Sequence, residues 1–93
     1  MPFCTVVEWD SGFDRAMFDH LTERAGTIDE LPDGCLTRIV GRVESGARVI
    51  EVWESDQDAQ RFAERTTPLI QELKIPPPTS VAAFPTTVFI AKT

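Results

Sequence analysis

The stretch GARVIEVWESDQDAQRFAERTTP, residues 46–68, changes its hydrophobic period midway, and that change decides the fold. Val49, Glu51 and Trp53 alternate with Arg48, Ile50 and Val52, a period of two rich in β-branched residues that predicts a strand. From Ser55 onward Ala59, Phe62, Ala63, Thr66, Ile70 and Leu73 recur at helical spacing, which predicts a helix with one apolar stripe. Ser55 followed by Asp58 is a capping-box-like start, with Asp in place of the usual Glu or Gln. Asp56 and Asp58 add negative charge where the helix dipole favours it. A strand thus runs almost directly into a helix, with Trp53-Glu54-Ser55 as the corner.

The chain on either side completes a pattern. Residues 2–10 alternate Phe3, Thr5, Val7 and Trp9 against Cys4, Val6 and Glu8, a first strand. Ser11-Gly12 breaks it, and Ser11 is a candidate cap for a helix carrying Phe13, Met17, Phe18, Leu21 and Ala25. Gly26 is placed to end that helix in the left-handed conformation. Residues 35–43 read as a second strand, joined to the third by a hairpin centred on Ser45-Gly46. Pro68 is expected to kink the second helix or to start a new short one. Ile75-Pro76-Pro77-Pro78 stops helical structure, and Ser80 to Ala91 read as the last strand, with Pro85 requiring an edge or a bulge.

The totals exclude several classes. Ninety-three residues make one domain over 1–93, with a core small enough that burial in a dimer would help. A net charge of −6 argues against nucleic acid and against anionic membrane surfaces. No apolar run reaches the roughly 20 residues of a spanning helix, and the acidic N-terminus is unlike a signal peptide, so a cytoplasmic location is expected. Two cysteines without metal spacing and one histidine cannot supply a structural zinc site. Cys4 and Cys35 lie on strands that are not neighbours, so no disulfide between them is expected.

The order βαββαβ is the ferredoxin-like α+β plan: an antiparallel sheet, its first and third strands central, with two helices on one face. A two-residue turn at Ser45-Gly46 pairs Arg42 with Val49, Val40 with Glu51 and Arg38 with Trp53. Those six residues share one face. Ile39, Val43, Ile50 and Val52 share the other, more apolar face, which is the expected seat of the helices. The mixed face would then be uncovered, and its Trp and Val suggest a homodimer with sheets facing.

VIEVWES (residues 49–55), the acidic helix start, Arg61 to Arg65, and Ala83-Phe84-Pro85 followed by Val88-Phe89-Ile90 carry a resemblance. From Phe3 to Ile90 the chain resembles small dimeric α+β barrel proteins of the antibiotic-biosynthesis-monooxygenase-like superfamily. The resemblance implies a homodimer and a cofactor-independent, monooxygenase-like enzyme acting on a small aromatic or hydrophobic molecule. The alternative is a non-catalytic ligand-binding or assembly module of the same fold. The histidine that small relatives often carry in the last strand is absent here, and Arg38 stands near the place of another on the second strand.

Five residues are candidates for the site, each with a competing reading. Arg38 as anion anchor, Glu51 as base and Trp53 as stacking wall would line a ligand cavity. The same three would serve as an ion pair and apolar anchor at a dimer seam. His20, at the edge of the first helix's stripe, is the other candidate acid–base group, because histidine ordinarily titrates near neutral pH; a partly exposed structural histidine competes with that role. Trp9 and Trp53 would stack on a polycyclic aromatic if their strands ran side by side in the same direction, or else pack the ends of the core. No metal site and no cofactor are expected.

Overall fold

The computed structural model describes residues 2–90 and 92. Its elements are β1 (Phe3–Trp9), α1 (Arg15–Ala25), β2 (Cys35–Val43), β3 (Gly46–Trp53), α2 (Asp56–Glu72) and β4 (Ser80–Pro85). One sheet has the order β2-β3-β1-β4, antiparallel throughout, with both helices on one face. This is the ferredoxin-like arrangement expected from the element order. No described helix is long and apolar enough to cross a membrane.

The helix starts follow from local chemistry. Ser55 caps α2 by accepting from the Asp58 backbone N–H, and its own hydroxyl donates to Asp58 Oδ2 at 2.8 Å. The cap of α1 is Asp14, which accepts from Met17 N at 2.9 Å, and not Ser11: a carboxylate three residues nearer the apolar run does the same work. Gly26 ends α1 at φ 74°, as read from the sequence. α2 runs through Pro68 as one helix, so it is not split there. The last strand is shorter than expected. It stops at Pro85, on an edge strand where a proline is tolerated, and the Thr86 N–H still donates to the Pro2 carbonyl at 2.8 Å; Ala91 lies outside the described residues.

The hairpin register differs from the expected one by two residues. Val43 pairs with Gly46, so the turn is Glu44-Ser45, with Glu44 in the left-handed region at φ 52°. Val40 therefore faces Val49, and Arg38 faces Glu51. A slip of two preserves sidedness, so the six residues expected to share a face do share it.

Which face the helices cover is the reverse of the expectation. Val49, Glu51 and Trp53 are buried beneath α1 and α2 together with Trp9, Phe13 and Leu21, and Trp53 is 1% exposed. Ile39, Val43 and Phe84 point to the opposite side and are exposed, Ile39 at 57%. The physical reason is area. Two Trp side chains bury more apolar surface than any Ile or Val opposite, and an ion pair neutralises the two charges carried in with them. Arg38, Glu51 and Trp53 are therefore interior to one chain, not seam residues of an open sheet face.

Candidate functional site

Between the sheet and the helices lies a cavity of about 530 Å³. Its roof is α1 and α2, whose side chains, Leu21 and Phe18 among them, reach down to Trp9 and Val49 of the sheet. The walls are predominantly apolar and aromatic. Trp9, Val7 and Thr5 come from β1, Val49, Glu51 and Trp53 from β3, Phe18 from α1, and Phe62 from α2.

The polar centre is the Arg38–Glu51 pair. Arg38 Nε donates to Glu51 Oε2 at 2.8 Å, and Nη1 donates to the Thr27 carbonyl at 3.1 Å. The side chains are 11% and 10% exposed. The Arg38 guanidinium carbon lies 5.8 Å from the ring centroids of both Phe18 and Phe62, within reach of cation–π attraction. The bond to Glu51 is monodentate, and among the described residues Oε1 has no hydrogen-bond donor of its own. Burial pushes the Glu51 carboxyl above the usual carboxylate range; the charge and hydrogen bond of Arg38 pull the other way without cancelling it.

Cys35 pairs with Trp53 and so faces the helix side. Its thiol is pushed up to about 11, by burial first and by the Glu51 charge second, which leaves it a poor thiolate source. Cys4 sits on the opposite face, and both cysteines are free.

Of the five candidates, four line this cavity: Trp9, Arg38, Glu51 and Trp53. His20 does not; it is exposed on α1, turned from the wall that Phe18 and Leu21 form. The two tryptophans are not at one opening. β1 and β3 are antiparallel, with Trp53 opposite Phe3 and Trp9 opposite Ala47, which puts the indoles at opposite ends of the cavity, about 20 Å apart along the strands. Each indole N–H is fixed, Trp9 Nε1 on the Pro76 carbonyl at 2.8 Å and Trp53 Nε1 on Thr5 Oγ1 at 3.1 Å. Trp9 packs on Phe13 and Trp53 on Phe62.

Sequence reading missed Phe18, Phe62 and Thr27 as partners of Arg38. The two phenylalanines stand on the helical stripes and read as plain core. Their signal was positional, since a stripe aromatic on each helix must meet whatever the covered sheet face presents.

No family model and no curated protein matches the chain. Solved structures do. The chain is similar to a candidate antibiotic biosynthesis monooxygenase from Chloroflexus aurantiacus, with 14% identity, a TM-score of 0.62 and coverage of 98% of each chain. It is also similar to a candidate antibiotic biosynthesis monooxygenase from Deinococcus radiodurans, at 14% identity and TM-score 0.62, over 100% of this chain and 99% of that one. A third, the structural-genomics protein YJCS, has 14% identity and a TM-score of 0.65, over 94% of this chain and all of that one. At this identity the shared property is the backbone: the chain has the ferredoxin-like α+β fold of these proteins, over essentially its whole length.

Proposed function

We propose that the chain is a monooxygenase-like enzyme that needs no cofactor, acts on a small neutral aromatic molecule held between sheet and helices, and works as a homodimer. The observation that carries this reading is Glu51: a carboxylate with one free oxygen, raised toward protonation by burial, in an aromatic-walled cavity. Such a group is suited to remove a proton from an activated CH₂ or hydroxyl of an electron-rich substrate. The resulting carbanion supplies electrons to dioxygen. In balance, a CH₂ and O₂ become C=O and H₂O, carbon losing the four electrons that oxygen gains. Arg38 holds Glu51 in place, and Trp9 and Trp53 close the ends of the aromatic slot. The likeness to two candidate monooxygenases supports the reaction class. His20 is proposed for no step, because its side chain is in solvent.

The homodimer rests on the uncovered sheet face. Ile39, Val43 and Phe84 are exposed on it, flanking Val52 and Cys4, which are 8% exposed. A patch of this kind suits a second copy.

Titration with 2-naphthol, followed by quenching of the two tryptophans, tests the cavity. Oxygen uptake with an anthrone-type substrate tests the chemistry. The expected result is saturable binding, and turnover that falls by about 10²-fold or more in Glu51→Gln while binding persists. Absence of binding overturns the reading. Binding without oxygen uptake favours the second reading, a non-catalytic binding module, which the commitment of Glu51 Oε2 to Arg38 supports.

A further inference from the structure

A second, larger cleft of about 940 Å³, open to solvent to the same degree as the sheet–helix cavity, lies between α1, the segment at Ile28-Asp29 and the β2–β3 hairpin. It and the interior cavity share three lining residues, Phe13, Phe18 and Thr22, all on or just before α1. One thin wall therefore separates this cleft, the vestibule, from the sheet–helix cavity.

The three wall residues are not equivalent. Phe13 is buried and stacked 4.1 Å from Trp9, so it belongs to the core. The Thr22 hydroxyl donates back to the Phe18 and Asp19 carbonyls of its own helix, and the residue is 4% exposed. Phe18 is half-buried, meets Phe13 edge-on at 6.4 Å, and has the Arg38 guanidinium over its ring. Of the three it is the one only half-buried, and no hydrogen bond fixes its side chain.

We propose that Phe18 determines substrate size: its ring is the wall between the sheet–helix cavity and the neighbouring cleft, and only a ligand short enough to stop at that ring fits within the first. The inference rests on the proposed binding of a small molecule in that cavity. It adds that the vestibule is the continuation a longer ligand would occupy if the ring were absent. The Arg38 contact is part of the arrangement. A cation over the ring face holds Phe18 in place between the two spaces.

The test uses 4-alkylphenols of increasing chain length, with dissociation constants measured by tryptophan quenching. In the wild type, affinity rises about fourfold per methylene until the cavity is full, then falls. Phe18→Ala joins the two spaces and moves the turning point to longer chains by several carbons. Phe18→Trp moves it to shorter ones, and serves as the reporter if the alanine variant does not fold, as judged by thermal unfolding. Binding by all three proteins with the same turning point overturns the role of Phe18 and leaves the cavity reading intact. Failure of the wild type to bind any member overturns the cavity reading itself.

Discussion

Glu51 is the residue on which most of the chemistry turns, and its charge state has a measurable signature. Burial places its folded pKa above the unfolded value. A carboxyl of this kind contributes stability that is present in full below the unfolded pKa, about 4.3 for Glu, and is lost as pH rises through the folded one. The melting temperature of Glu51→Gln should therefore gain on the wild type as pH rises from about 4, all other carboxyls cancelling in the comparison. Arg38 is the complementary case. Arg38→Met strands a buried carboxylate and should cost about 3–5 kcal/mol in urea unfolding at neutral pH, whereas Arg38→Met combined with Glu51→Leu should be close to neutral. Both residues were legible in the sequence as polar members of apolar strands, and their shared face followed from parity. An ion pair between them was expected at a dimer seam; their pairing inside one chain was not, because it depends on a hairpin register that Ser45-Gly46 signals weakly.

The helices are the best-determined elements, and they make separable predictions. Ser55 holds the start of α2 through a single accepted bond, so Ser55→Ala should lower stability by about 1 kcal/mol. Pro68 sits exposed inside α2, without the N–H that would reach the Glu64 carbonyl, while the Thr67 hydroxyl donates to the Ala63 carbonyl at 2.7 Å. Pro68→Ala should raise stability, by up to about 3 kcal/mol, read as a higher urea midpoint at unchanged slope. A proline in a sequence does not say whether a helix stops. Here stripe residues on both sides, Phe62 and Thr66 before and Leu69 and Ile70 after, carry it through. The register shift between Cys35 and Thr37 was beyond sequence reading, since an extra residue at Leu36 leaves no pattern in one strand alone.

For the molecule as a whole, the reversal of the two sheet faces is the instructive result. Counting polar residues favoured Ile39, Ile50 and Val52 as the covered side. Counting area, and allowing Arg38 to meet Glu51, favours the side with Trp9 and Trp53, and that is the one observed. The face left open carries Ile39, Val43 and Phe84 exposed, with the Arg48–Glu8 pair at one end, and so keeps the case for a second copy. Ile39→Glu places a charge on the exposed β2 edge of that patch while touching nothing in the cavity. It should convert a dimer to a monomer in sedimentation velocity at micromolar concentration, with tryptophan fluorescence unchanged. A monomeric wild type would remove the dimer from the proposal.

Gly46 has a consequence for how the sheet finds its alignment. Sliding β3 past β1 by two positions returns every side chain to its native side, so burial alone barely penalises a mispaired sheet. A Cβ at position 46 would overlap the Trp9 carbonyl. A two-step slide brings Arg48 or Glu44 to that spot, and the steric overlap rejects it. The glycine thus acts as a notch that admits one alignment and stops the ratchet there. Gly46→Ala would erase the difference between the right notch and the wrong ones, and refolding should then yield several coexisting alignments, seen as doubled backbone amide signals.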